Sequence, residues 1–174
     1  MLTSTMKGAI AETQIAAEAV RLGIVVLRPI VEGRRYDLVL DTGSRLLRIQ
    51  CKWGKRKGGV ISVHTRSCRH TPRGYVRSTY SPAEIDGIAV YCPDTSRCYF
   101  LPIDEVASRH AVHLRLVRAA NNQEVAIKYA ASYEFAGAIA QLGERSAGSR
   151  KVGGSNPPSS TPERSPARAA SSPL

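Results

Sequence analysis

The sequence predicts an α/β fold in which a mixed β-sheet is flanked by helices, and three observations carry the prediction. A helix rich in small residues comes first, two strand pairs with period-two alternation follow, and 174 residues are enough to bury one proper core. Each element is justified below from its own residues.

The periodicity predicts a helix from Thr5 to Leu22, with Ile10, Thr13, Ala17 and Val20 as one stripe, Ile15, Ala19 and Leu22 as another, and Gly23 ending it. The run "IVVLRPI" is β-branched and stops at Pro29, as a first strand would. In "YDLVLDTGSRLLRIQCKW", residues 36–53, Thr42-Gly43 is expected to form a turn pairing Leu40 with Arg45 and setting Asp37 opposite Arg48. Alternation then puts Leu38, Leu40, Leu47, Ile49 and Cys51 on one face and Asp37, Arg48, Gln50 and Lys52 on the other. Diagonal neighbours on one face lie about 7–8 Å apart, close enough for Asp37 and Gln50 to reach toward one ion. Trp53 falls on the core face.

Farther along, "GKRKGG" reads as a flexible basic loop, "VISVHT" as a strand and "RSCRHTPRGYVRSTYSP" as an irregular basic stretch. "IDGIAVYCPDTSRCYFLPI" is a second hairpin, expected to bring Cys92 and Cys98 face to face, and "DEVASRH" is a short helix opened by Asp104. "HLRLV" reads as a last strand, "AANNQ" as a turn, and "VAIKYAASYEFAGA" as a closing strand or helix. After Gly137 the composition shifts to Ser, Pro, Gly, Ala and Arg. Residues 1–137 are therefore expected to fold and 138–174 to form a disordered tail. Within that tail, "IAQLGERSAGSRKVGGSNPPSS" resembles a translated transfer-RNA gene, with Ala-Gln-Leu-Gly-Glu-Arg corresponding to the D-arm and Gly-Ser-Asn-Pro to the T-arm.

A net charge of +11, from 25 Lys and Arg against 14 Asp and Glu, favours a polyanionic partner, with nucleic acid the first suspect. Ten of those cations lie between Arg45 and Arg77, and no acid occurs between Asp41 and Glu84. Lys55, Arg56, Lys57, Arg66, Arg69, Arg73 and Arg77, together with Arg48 on the polar strand face, are the expected phosphate-tracking residues. The four cysteines form no C-x-x-C pair, which excludes a zinc ribbon or a thioredoxin-type motif. No stretch is long and apolar enough to span a bilayer and the N-terminus lacks a signal-peptide core, so a cytoplasmic location is expected.

Hydrolysing a phosphodiester calls for a divalent cation held by oxygen ligands, with a fixed positive charge to stabilise the extra negative charge of the transition state. Asp37, Gln50 and Lys52 supply such a set on one strand face, and Glu12, mid-helix among small residues, is the candidate further oxygen donor. A helix, an acid at a strand start and Gln-x-Lys on the paired strand resemble the PD-(D/E)XK nuclease superfamily. The resemblance covers residues 5 to 105 and is closest to the group I intron homing-endonuclease branch. It rests on "KGAIAETQIAAEAVRLGIVVLRPI", "RRYDLVLD", "LLRIQCKW" and the second hairpin, although Arg35-Tyr36 precedes Asp37 where the superfamily name has a proline.

The resemblance implies a restriction-endonuclease-like core and a Mg2+- or Mn2+-dependent DNA endonuclease of a mobile element. Glu12 and Asp37 would be metal ligands, Gln50 a neutral ligand and Lys52 the cationic partner of the attacking water. It also implies double-stranded DNA as substrate and a homo-oligomer, dimer or tetramer. A Holliday-junction-type resolvase, and a non-catalytic nucleic-acid-binding protein with a decayed nuclease site, are the rival readings.

Overall fold

The computed structural model describes residues 1–72, 74–117 and 126–148. In chain order the elements are α1 (Ser4–Arg21), β1 (Val25–Leu27), β2 (Leu38–Asp41), β3 (Leu46–Trp53), β4 (Lys55–Lys57), β5 (Val60–His64), β6 (Arg66–Thr71), β7 (Gly74–Thr79), β8 (Gly87–Cys92), β9 (Arg97–Pro102), α2 (Ile103–Val106), β10 (Ala111–Arg115), β11 (Lys128–Tyr129) and α3 (Phe135–Gly148).

Thr3 caps α1 by accepting the Met6 N–H at 3.2 Å, and the helix closes with Gly23 and Ile24 donating back to the Val20 and Ala19 carbonyls, both at 3.0 Å. Ala11, Ile15 and Ala19 are fully buried, one residue per turn along a single stripe. The stripe expected to run from Ile10 to Val20 faces outward instead, because one sheet lies against the helix and one face suffices to cover it; Val20 is 62% exposed.

That sheet has five strands in the order β1-β2-β3-β8-β9, with β3 and β8 parallel and the other neighbours antiparallel. Between β2 and β3 the central turn residues are Gly43 and Ser44 rather than Thr42 and Gly43. Gly43 takes φ +79°, open to glycine, and Thr42 N–H reaches the Arg45 carbonyl at 3.1 Å. Moving a turn by one residue moves the pairing by two, so Leu40 pairs with Leu47 and Val39 with Arg48. A two-residue slip preserves the faces. Leu38, Leu40, Leu47, Ile49 and Cys51 are all buried against α1, as expected, and Asp37 comes alongside Gln50 rather than Arg48.

A second sheet, ordered β11-β10-β5-β4, covers the other face of the first. Ile61, Val63, Val112 and Leu114 from it meet Ile88, Val90 and Leu101 in a separate apolar cluster. Gly54 marks the crossing between the sheets, where a Cβ would sit 2.9 Å from both Ile61 and Val90. The expected basic loop is partly strand, since Lys55–Lys57 pairs with β5, and the expected irregular stretch is a β6–β7 ribbon paired from Arg66–Thr79 to Thr71–Gly74. Polar, cationic sequence conceals all three strands, because their backbone pairing is decided by the neighbour rather than by an apolar stripe.

Cys92 pairs with Arg97 and Cys98 with Tyr91, so the two cysteines lie on opposite faces and do not meet; Cys51, Cys68, Cys92 and Cys98 are all free thiols. Asp104 stands in the first turn of α2, whose N-cap is Pro102. The expected domain boundary at Gly137 falls inside α3, where Phe135, Ala138 and Ile139 are buried in the α1-side core and Leu142 packs against it. The folded unit thus runs past 137. The expected turn "AANNQ" and the tail from residue 149 lie outside the described residues. No described helix is long and apolar enough to cross a membrane.

Candidate active site

Asp37 stands just before β2, with its backbone N–H donating to the Ile49 carbonyl at 2.8 Å. Its carboxylate Oδ2 accepts the Cys51 N–H at 2.7 Å and a further bond from Gln50 Nε2. A carboxylate only accepts, so it turns the amide nitrogen of Gln50 toward itself. An acid at position 50 would instead oppose one carboxylate to another, each hindering the other's ionisation. Burial pushes the Asp37 carboxyl up to about 6; the Cys51 N–H opposes this, Glu12 adds to it through its charge, and Lys52 and Arg28 also oppose it.

Lys52 projects from the same strand face as Gln50. Its Nζ donates to the Arg66 carbonyl at 3.2 Å and lies 5.3 Å from the Tyr80 ring centroid. Burial lowers its pKa, while the neighbouring Asp37 charge works the other way. Asp37, Gln50, Lys52, Arg35, Tyr80 and Glu84 line one cavity of about 460 Å³.

Glu12 does not enter that cavity. It lines an adjoining one of about 340 Å³ with Arg28 and Tyr36, and Asp37, together with Gly33 and Arg34, walls both. The expected single pocket is therefore two cavities joined at Asp37, because α1 packs on one face of the sheet while Gln50 and Lys52 project from the other. Glu12 is paired with Arg28 at 3.1 Å, the arginine being 57% exposed and thus free to swing aside.

The donor set fits a hard divalent cation: two carboxylates and an amide carbonyl, with Oδ1 of Asp37 unbonded among the described residues. Among the described residues no three His, Cys, Asp or Glu cluster.

The expected DNA-binding residues divide. Lys55, Lys57 and Arg77 are exposed on β4 and β7, and Arg66 is half-buried on β6. Arg56 is exposed, but its Nε is held by the Gly58 carbonyl at 2.9 Å. Arg48 is committed internally: its Nε bonds Asp86 Oδ2 at 3.1 Å, and its other nitrogens reach the Ala83 and Pro82 carbonyls at 2.5 and 3.2 Å. It fastens the segment before β8 to β3 and is not one of the free cations. Arg73 and the side chain of Arg69 lie outside the described residues.

Sequence reasoning gave none of Arg28, Arg35, Tyr80 and Glu84 a role in the site. Arg35 lies two residues from Asp37, which is a signal of a kind, but nothing in the sequence links it to positions 80 and 84.

The model of the PD-(D/E)XK endonuclease family matches residues 2–136. The chain belongs to the PD-(D/E)XK endonuclease family. Within the solved structures, this family member is similar to a bacterial homing endonuclease, I-Ssp6803I, at 26% identity and a TM-score of 0.67, over 87% of this chain and all of that one. No curated protein sequence matches.

Proposed function

We propose that this endonuclease is a divalent-metal-dependent enzyme that hydrolyses double-stranded DNA, with Mg2+ or Mn2+ as its ion, and that it serves as the homing endonuclease of a mobile element. The observation that carries the reading is the placement of Asp37, Gln50 and Lys52 around one cavity, with Glu12 lining the adjoining cavity that Asp37 also walls. Family membership and the likeness to a bacterial homing endonuclease support it.

Glu12, Asp37 and the Gln50 carbonyl would hold the ion, which would polarise the scissile phosphate and acidify a water. The Cys51 N–H and the Gln50 amide hold the Asp37 carboxylate in one orientation. Lys52 places a positive charge at the cavity wall, where it can stabilise the extra charge of the pentavalent transition state. Lys55, Lys57, Arg66 and Arg77 would track the phosphate backbone. Cutting both strands requires two such sites, so the working form is a dimer or tetramer, acting in the cytoplasm. The tail's likeness to a transfer-RNA gene suits an element lodged beside one.

The test incubates the purified full chain with plasmid DNA and Mg2+, alongside Asp37→Ala and Lys52→Ala. Nicking by the wild type that a chelator and both variants abolish is expected. DNA retention without nicking by any of the three would leave a binding protein with a decayed site.

A further inference from the structure

Arg35 is the most heavily engaged side chain around the larger cavity. Its Nε bonds Glu84 Oε1 at 2.9 Å, Nη1 bonds the hydroxyls of Ser67 and Ser78 at 2.5 and 3.1 Å, and Nη2 bonds the Thr79 carbonyl at 2.6 Å. Its guanidinium carbon lies 4.4 Å from the centroid of the Tyr80 ring, itself only 4% exposed. Four of the five N–H donors of a guanidinium are thereby used within the protein. A phosphate contact is a poor account of such a residue.

The partners explain it better. Ser67, Ser78 and Thr79 belong to the β6–β7 ribbon, which otherwise pairs only with itself among the described residues. The ribbon also seats Lys52, because the Arg66 carbonyl that accepts from Nζ lies next to Ser67. Tyr80, directly after the ribbon, carries Arg35 and Lys52 within cation–π range of its ring. Arg35 therefore fixes, through planar and directional bonds, the element that supplies the Lys52 acceptor.

We propose that Arg35 is a positioning residue for Lys52, pinning the β6–β7 ribbon so that the ammonium group is held at the cavity wall. This rests on the nuclease reading for its catalytic consequence but not for its structural one, and the experiment separates them. The metal-free, DNA-free full chain is trace-acetylated and read by mass spectrometry, with exposed Lys55 and Lys57 as fast references and Lys128, engaged with Glu105 and Tyr133, as a monitor of global opening. In Arg35→Ala and in Ser67→Ala/Ser78→Ala, Lys52 is expected to approach the reactivity of Lys55 while Lys128 stays slow. Arg35→Lys keeps the charge but not the planar fork, and is expected to leave Lys52 reactive.

In parallel, single-turnover cleavage by Arg35→Ala is expected to fall by about 10²-fold from misplacement of the lysine, with duplex affinity near wild type. Unchanged Lys52 labelling in the folded Ser67→Ala/Ser78→Ala protein, or Lys52 and Lys128 opening together, would overturn the positioning role. A wild type that does not cleave overturns the nuclease reading and leaves the labelling result standing.

Discussion

The two faces of β3 offer the sharpest contrast in the molecule. Leu47, Ile49 and Cys51 alternate with Arg48, Gln50 and Lys52 along one strand, yet the first three need only an apolar neighbour and the second three each need a particular one. Ile49 is held by whatever fills the space between sheet and helix. Gln50 requires Asp37, Lys52 requires the Arg66 carbonyl, and Arg48 requires Asp86 and the segment before it. Burial is non-directional and tolerant; a hydrogen bond to one atom is neither. The strand thus joins a robust core to a site that depends on distant parts of the chain.

The largest effect should come from exchanging one residue on each side. Asp37→Asn is expected to abolish cleavage while stabilising the metal-free protein at pH 7.5, since burial holds the wild-type carboxyl at about 6 against an ordinary 3.8. The sign follows from proton binding: the native state takes up the proton more tightly than the unfolded chain, so the stability this gives is complete below pH 3.8 and lost as pH rises through about 6. Melting temperatures of chelator-treated wild type and Asp37→Asn should therefore separate between pH 3.8 and about 6, stay apart above that and converge in acid. Ile49→Ala should do the reverse, costing about 2–5 kcal/mol in denaturant unfolding and lowering cleavage only through the folded fraction. A stabilised Ile49→Ala, or a destabilised Asp37→Asn at pH 7.5, would erase the contrast.

Gln50→Glu sharpens the comparison at intermediate scale. It restores a third acid but turns one carboxylate upon another, so titration calorimetry should show Mn2+ binding tightened by about tenfold while the metal-free protein loses stability at neutral pH. An unchanged Mn2+ affinity would remove Gln50 from the ligand set.

The smallest effect is expected at the surface. Lys55→Ala and Lys57→Ala, on the exposed β4, should each lower the slope of log K against log salt for duplex binding by about 1, without altering the melting temperature.

Residues 36–53 show how much of this was open to inspection. Both faces of the hairpin followed from alternation alone, and they survived a misplaced turn because the slip was even. The β6–β7 ribbon was missed: its strands are short of buried apolar residues, and their pairing is visible only in the backbone. Composition past Gly137 reads as tail, yet part of α3 lies there, because composition conceals two buried positions, Ala138 and Ile139.

By itself the sequence determined the alternating strand faces, the helix that covers one of them and the identity of Asp37, Gln50 and Lys52 as neighbours, since all of these depend on spacing within one or two adjoining elements. Only the tertiary structure decided that Glu12 approaches Asp37 from a separate cavity, that Arg48 is a fastening rather than a phosphate contact, and that Arg35 gathers Ser67, Ser78, Thr79 and Glu84. The contacts of Arg48 with Asp86 and of Arg35 with its four partners join residues 32 to 49 positions apart, and local periodicity carries no record of which distant atoms the folded chain brings within hydrogen-bonding reach.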